Sequence, residues 1–172
     1  SVTGVQTRAL PILRSDLVTD DVKPRFPTPL PYVYTLQEAC PWIARDYRGS
    51  MPLVEEDAWF QQYAIYPEWK KLRVGESSKR YFSLVKVRPD RPCPTITATA
   101  AQRGAAGVTH TYEPRKFSIA EMRLLASFPS DFILAGTFEQ QGERIGRSVP
   151  PLMAYHVGMS LLEVLRMIDG QR

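Results

Sequence analysis

Cysteine and histidine side chains could act as nucleophiles or metal ligands, and this sequence has two of each: Cys40, Cys93, His110 and His156. A cysteine becomes a nucleophile when a neighbouring group lowers the pKa of its thiol. Nothing near Cys93 in "RPCPT" would do so, and Cys40 is no better placed. A zinc site usually takes its cysteine and histidine ligands from pairs a few residues apart, and these four residues form no such pairs. They predict structural thiols in a reducing cytoplasm rather than a disulfide framework or a metal centre.

Lysine and arginine side chains could bind phosphate. The 172 residues include 22 lysines and arginines and 18 acidic residues, a formal charge of +4, which permits nucleic acid as a partner without requiring it. Lys70, Lys71, Arg73, Lys79 and Arg80 form one cluster that could grip phosphates, and a solvated protein face is the alternative. No apolar run is long enough for a membrane span, so we expect a cytoplasmic protein with no membrane partner.

Aromatic residues are dense between residues 55 and 73. Trp59, Tyr63, Tyr66 and Trp69 could stack on bases, but aromatics at helical spacing are more often part of a core, and we favour that interpretation. The pattern predicts a helix to about Ala64, followed by a turn.

Local signals predict short elements. The stretch "PRFPTPLP" indicates a stiff connector, and capping boxes at Thr35/Glu38 and Ser118/Glu121 each predict a helix start. The second helix, which we interpret as structural, should end at Phe128 before Pro129. Alternating β-branched and aromatic residues predict strands at residues 80–88 and 95–99, with a small, flexible loop at residues 100–107 between the strands and the second helix.

The C-terminal region begins with a predicted tight turn around Gly146. Pro151 suits the first position of a final helix, which carries one polar stripe that includes His156 and is otherwise apolar. A helix with so many apolar residues should be buried on most sides.

Three stretches, in the order "PTITATAAQRGAAGVTH", "EPRKFSIAEMRLLASFPSDF" and "QQGERIGRSVPPLM", resemble the C-terminal part of DNA (cytosine-5)-methyltransferases. The second is similar to the ninth conserved motif of that family and the third to the tenth. The resemblance implies an α+β fold: a small mixed or antiparallel sheet with short helices, and a long C-terminal helix that in the family packs on the catalytic Rossmann-like domain. It implies three parts, namely a connector at 1–30, a target recognition region at 31–113, and the two motif helices at 114–172.

The resemblance also implies site residues. The tenth motif usually reads Gly-Asn-Ser/Ala-Val-Pro-Pro and comes close to S-adenosylmethionine, so a cofactor contact carries over to Arg147, Ser148 and Val149. The usual Asn is Arg147 here, whose guanidinium could instead reach a carboxylate or a DNA phosphate. Arg103 lies where the family's recognition domain enters the major groove, so it could read guanine or hold phosphate, with a plain flexible loop as the alternative.

Family members flip the target cytosine out of the duplex and attack it with a cysteine thiolate from a Pro-Cys-Gln motif. That motif, the Glu-Asn-Val acid and the glycine-rich cofactor turn are absent from these 172 residues, and Pro94 follows Cys93 where Gln is expected. The resemblance therefore implies double-stranded DNA and a separate catalytic N-terminal half as partners. Without that half, the final helix would need another surface, such as a second copy of itself. A degenerate relative that acts as a DNA-binding or protein-interaction module is the alternative, which Arg147 favours.

Overall fold

A computed structural model describes residues 35–43, 48 and 60–169 of the chain. Backbone contacts divide the chain into two units, residues 30–151 and residues 1–29 with 152–172. The predicted proline-rich connector and Trp59 lie outside the described residues.

Short helices dominate the described residues. The α-helices are α1 (Leu36–Ala39), α2 (Tyr66–Lys71), α3 (Ile119–Leu125), α4 (Phe138–Arg147) and α5 (Pro151–Asp169), with 3-10 turns at Pro41–Ile43 and Phe60–Gln62.

Capping boxes start three of these helices. Thr35 and Glu38 cap α1, and Ser118 and Glu121 cap α3, so both predicted helix starts are confirmed. The predicted end of the second at Phe128 is wrong: α3 ends at Leu125, since Ser127 adopts a left-handed φ of 61° that cannot continue a helix. Thr137 and Gln140 form a third box at α4, a helix that our sequence analysis missed.

In the described residues, the predicted helix to about Ala64 is replaced by a 3-10 turn at Phe60–Gln62, and the turn predicted after it is confirmed at Ala64 and Ile65. Helix α2 then begins at Tyr66 and includes Pro67. Proline is tolerated in the first turn of a helix because the N–H that it lacks would have no intrahelical acceptor.

The sheet consists of strands β1 (Val85–Lys86) and β2 (Val108–Thr109), which pair in parallel with Val85 opposite Val108. Single antiparallel bridges, Ser77 to Val85 and Thr109 to Lys116, extend it on both sides. The predicted α+β class with a small mixed sheet is confirmed. The strand expected over 80–88 shortens to β1, and the strand expected at 95–99 is wrong, because β2 takes the place beside β1.

The described residues of the unit 30–151 form two apolar clusters. The larger, cluster 1, joins α1, α3, α4 and the strands through these buried residues: Leu36, Cys40, Ile43, Val87, Ala100, Ala101, Val108, Phe117, Met122, Ala126 and Ile145. The smaller, cluster 2, consists of Phe60, Ile65, Trp69 and Leu84.

Two glycines in α4 allow this helix to lie directly on residues 97–101. A methyl group at Gly142 would overlap Ala101, and one at Gly146 would overlap the backbone of Thr97 and Ala98. The predicted tight turn around Gly146 is therefore wrong: this glycine is helical, and it permits close approach rather than an unusual φ.

Helix α5 begins at Pro151 as predicted. Its expected burial on most sides is not found, since Val164 is the one described side chain of α5 that is buried. A helix that is apolar around most of its circumference needs neighbours on several sides to be buried, and more than a third of each of these side chains remains exposed: Leu152, Met153, Tyr155, Val157, Met159, Leu161, Leu162, Leu165 and Met167. Within the described ranges, no helix has the length and apolar character needed to cross a membrane.

Candidate nucleic-acid interface

Cluster 2 fixes α2 against both strands. The indole N–H of Trp69 donates to Oγ1 of Thr109 at 3.0 Å, and that hydroxyl donates to the carbonyl of Val85 at 2.8 Å. The ammonium of Lys86 lies 3.7 Å from the centre of the Trp69 ring and donates to the Leu72 carbonyl at 2.9 Å. Trp69, which the sequence allowed as a base-stacking residue, is buried, so the favoured core interpretation is confirmed for it.

Residues 75–86 form a β-hairpin beside α2. The backbone N–H of Gly75 donates to Lys86, that of Lys86 to Glu76, and that of Ser78 to Leu84, at 2.7, 3.0 and 2.8 Å. The hairpin closes through residues 79–83, which we call the hairpin tip.

Side chains hold the hairpin tip in one shape. Oγ of Ser78 accepts from the N–H groups of Arg80 and Tyr81, both at 3.1 Å, and donates to Glu68 of α2 at 3.0 Å. The hydrogen bonds from Ser78 and Lys71 lower the pKa of Glu68. The N–H of Leu84 donates to the carbonyl of Tyr81 at 2.8 Å and closes a turn. Phe82 lies within this turn and is 97% exposed.

The loop predicted at residues 100–107 is confirmed, and several hydrogen bonds tie its backbone to neighbouring segments. The buried ammonium of Lys116 donates to the carbonyls of Ala100 and Gln102 at 2.8 and 2.5 Å. Gly104, with φ of 71°, lies against the ring of Tyr63, and the N–H of Arg103 donates to Glu139 of α4 at 3.3 Å. Arg103 is therefore presented from a fixed backbone.

All six predicted DNA-binding side chains are exposed on segments attached to cluster 2. Lys70 and Lys71 lie on α2, Arg73 follows it, Lys79 and Arg80 lie in the hairpin tip, and Arg103 lies in the loop against Tyr63. Carboxylates accompany three of these segments: Glu68 is 3.2 Å from Lys71, Glu139 is 4.0 Å from Arg103, and Glu76 accepts from the Arg73 N–H. These segments present six exposed cationic side chains from a hydrogen-bonded backbone, and cations of this kind are suited to phosphate contacts.

The predicted cofactor residues lie at the end of α4. Arg147 is 72% exposed and its guanidinium lies 2.7 Å from Glu143. The hydroxyl and N–H of Ser148 both donate to the Ile145 carbonyl, so this side chain caps the helix. Val149 is 62% exposed. The exposed Val149 side chain and the Arg147 guanidinium are the groups here that could touch a cofactor carrying both apolar and carboxylate parts.

A buried ion pair supports the start of α3. The guanidinium of Arg115 donates to both carboxylate oxygens of Glu121, at 2.7 and 2.9 Å, and Glu121 is fully buried. The Trp42 indole and the Ser118 N–H also donate to this carboxylate, at 3.0 and 2.8 Å. Burial raises the pKa of Glu121, but the hydrogen bonds and charge of Arg115 outweigh it, and the pKa lies below its usual value. Arg115 and Glu121 therefore fix α3, as the structural interpretation predicted.

His110 is buried next to this ion pair. Its Nδ1 accepts from the N–H of Glu113 at 3.0 Å, and its ring meets Phe117 edge-on. Burial, together with the nearby charge of Arg115, lowers the pKa of His110 to about 4. The ring is therefore neutral at pH 7, which suits the acceptor role of Nδ1.

We expect His110 to make folding stability sensitive to mild acid. Its pKa in the unfolded chain is about 6.5, so stability is fully present above that pH and falls as the pH drops towards the lower folded pKa. Between pH 7 and pH 5 the loss should be about 2 kcal/mol, measured by urea unfolding. His110→Gln should flatten this dependence and His156→Gln should keep it; an unchanged slope in His110→Gln would contradict the assignment.

The two cysteines are unsuited to nucleophilic chemistry. Burial raises the pKa of both Cys40 and Cys93 to about 12. Both thiols pack against cluster 1 and stay protonated at neutral pH, in agreement with the structural role expected from the sequence.

A family model described as C-5 cytosine-specific DNA methylase matches residues 44–163. Among curated relatives, putative type II methyltransferase M.MJ0563P from Methanocaldococcus jannaschii is 30% identical over 102 residues, covering 55% of this chain and 31% of that protein. Type II methyltransferase M.Sau96I from Staphylococcus aureus is 34% identical over 80 residues, covering 46% and 18%. The chain thus spans about a third or less of the length of these two relatives.

In a third relative, the matched residues cover most of that protein's length. Type II methyltransferase M.AquIB from Picosynechococcus sp. is 28% identical over 106 residues, which cover 54% of this chain and 73% of M.AquIB. An alignment of similar length covers 31% of M.MJ0563P, so M.AquIB is less than half as long as that protein. No solved structure gives a significant match.

Proposed function

The chain belongs to the C-5 cytosine-specific DNA methylase family, and we propose that it is the C-terminal, target-recognition portion of a DNA cytosine-5 methyltransferase. In this role it binds double-stranded DNA, selects the target and completes the S-adenosylmethionine pocket. The observation that carries the proposal is the set of six exposed basic side chains on rigid segments around cluster 2, in the unit that also holds α3 and α4.

The buried polar contacts support this role because they hold the proposed DNA-binding segments in place. Lys116 fixes the loop that carries Arg103, and Ser78 fixes the hairpin tip that carries Lys79 and Arg80. Side chains that read or grip a duplex are most effective when the backbone beneath them is already ordered, since less conformational entropy is lost on binding.

Methyl transfer needs a part that this sequence does not contain. Neither Pro-Cys-Gln nor Glu-Asn-Val is present, and burial keeps both thiols protonated. We propose that a catalytic N-terminal part supplies the nucleophile and most of the cofactor pocket. The short relative M.AquIB supports a separate subunit, since this chain aligns with 73% of a protein that is less than half as long as M.MJ0563P.

The segment Arg147–Val149 would contribute one edge of the cofactor pocket. Val149 offers an exposed apolar surface, while Ser148 is engaged in capping α4. The guanidinium of Arg147 can pair with the carboxylate of the cofactor's amino-acid moiety if it leaves Glu143, an exposed partner one helical turn away.

DNA binding by the full chain tests the proposal. We expect affinity for duplex DNA at 50 mM salt to fall steeply as salt rises, and Arg80→Gln combined with Arg103→Gln to lower the slope of log K against log salt by about two. Fluorescence anisotropy with a labelled duplex of mixed sequence measures both quantities. Arg91→Gln with Arg166→Gln removes the same charge elsewhere and should leave the slope unchanged. Absence of binding to any duplex, with or without a catalytic half, would sink the proposal.

A second function has one observation in its favour. Arg147 replaces the family's usual Asn and forms an exposed ion pair with Glu143, as expected of a degenerate relative that binds DNA or protein without taking part in methyl transfer. Mixing the chain with an N-terminal half that contains Pro-Cys-Gln and Glu-Asn-Val separates the two functions. Methyl incorporation into DNA supports the split enzyme, and binding without incorporation supports the relic.

A further inference from the structure

The hairpin tip presents an aromatic ring to solvent. Phe82 is 97% exposed, although a phenylalanine normally buries its ring in a core. Its neighbour Tyr81 follows the usual rule, since it is half-buried, packs against cluster 2, and its hydroxyl donates to the Ala64 carbonyl at 3.4 Å. Nothing in the sequence distinguishes the two rings, and Phe82 was not among the predicted site residues.

The backbone beneath Phe82 is fixed from both sides. Before it, the N–H groups of Arg80 and Tyr81 donate to Ser78, and after it the N–H of Leu84 donates to Tyr81. Leu84 is fully buried in cluster 2 and Ser78 is tied to Glu68 of α2. Phe82 therefore projects from an ordered support and cannot fold back without breaking these contacts.

The charges around Phe82 favour nucleic acid as its partner. Lys79 and Arg80 lie in the same five-residue tip, and Lys70 and Lys71 lie on the helix that supports it. Protein-binding sites usually surround an aromatic anchor with further apolar area, whereas the other exposed residues of the tip are Lys79, Arg80 and Ser83. A lone apolar ring flanked by cations is the combination that DNA-bending proteins insert between base steps.

We propose that Phe82 is a wedge that enters the base stack of duplex DNA while Lys79 and Arg80 hold the adjacent phosphates. This inference rests on the proposed DNA-binding function and adds a residue that positions the duplex. The ring would stack on one base face and partly separate it from its neighbour, which costs least where the stack is already interrupted.

A duplex with a single abasic site tests the wedge. We expect the full chain to bind a 30-base-pair duplex with a central abasic position about tenfold more tightly than the intact duplex, because no base has to be unstacked there. Phe82→Ala should bind the two duplexes equally, and Phe82→Trp should keep the preference. Anisotropy at 50 mM salt gives the affinities, and circular dichroism verifies that each variant is folded.

Matched variants separate the wedge from other roles. Ile133→Ala removes a side chain that is 88% exposed outside the hairpin and should keep the tenfold preference. Lys79→Gln should lower the affinity for both duplexes by the same factor. The proposal is overturned if Phe82→Ala keeps the preference for the abasic duplex, whether or not its affinity for both duplexes falls by the same factor. An equal fall in both affinities is expected of a ring that contacts protein or the DNA exterior. In either case DNA binding by the wild-type chain would leave the proposed function standing, whereas no binding at all would overturn both.

Discussion

Replacing Arg115 with alanine should destabilise the chain by about 3–5 kcal/mol. The change leaves the fully buried carboxylate of Glu121 without the guanidinium that contacts both of its oxygens. Because a domain of this size is stable by only about 5–15 kcal/mol, this loss removes a large share of the free energy of unfolding. Urea unfolding followed by circular dichroism measures the loss.

Two further variants test whether the buried charge is the cause. Arg115→Met combined with Glu121→Leu removes both charges and should recover most of the stability. Arg88→Ala breaks an exposed pair with Asp90 and should leave the unfolding midpoint nearly unchanged. If the double variant were as unstable as Arg115→Ala, the loss would lie in packing rather than in the uncompensated carboxylate.

Gly146→Ala should destabilise the chain, although alanine is a better helix former than glycine by about 1 kcal/mol. The added methyl group would overlap backbone atoms of Thr97 and Ala98. Backbone atoms cannot rotate out of the way as the end of a side chain could. We expect a net loss of about 1–3 kcal/mol in the free energy of unfolding, measured by urea titration.

Gly158 provides the matched control. It is also helical, in α5, and a methyl group there meets nothing within 4 Å. Gly158→Ala should therefore stabilise the chain by up to about 1 kcal/mol. The opposite signs of the two substitutions are the decisive result, and a gain from both would show that α4 does not lie against residues 97–101 as described.

The sequence predicted two helices that begin with a capping box, because a capping box lies within four consecutive residues. Thr35 with Glu38 and Ser118 with Glu121 act through neighbouring backbone groups, so the sequence alone contains the information. Thr137 and Gln140 give the same signal for α4, and it was overlooked because Gly142 and Gly146 favour a turn when considered by propensity alone. Their role in the helix depends on Ala101 and Thr97, which precede Gly142 and Gly146 by 41 and 49 residues in the chain.

The candidate interface was predictable as a list of basic residues but not as a surface. The segments that carry Lys70, Lys79 and Arg103 all attach to cluster 2, through Trp69, Leu84 and Tyr63. Lys116 was not singled out, since a lysine is normally solvated and its burial depends on the distant carbonyls of Ala100 and Gln102. Phe82 was missed for the converse reason, because a phenylalanine is expected to be buried.

The contact between α4 and residues 97–101 restricts how this sequence can change over evolutionary time. Any larger side chain at Gly142 or Gly146 displaces the chain at Ala101 or Thr97, so helix and segment must be inherited as a matched pair. The exposed residues of the hairpin tip and Arg103 carry no such restriction. Under the proposed function, new DNA preferences in descendants of this protein should therefore arise by substitution at those exposed positions, while residues 97–101 and α4 stay the same.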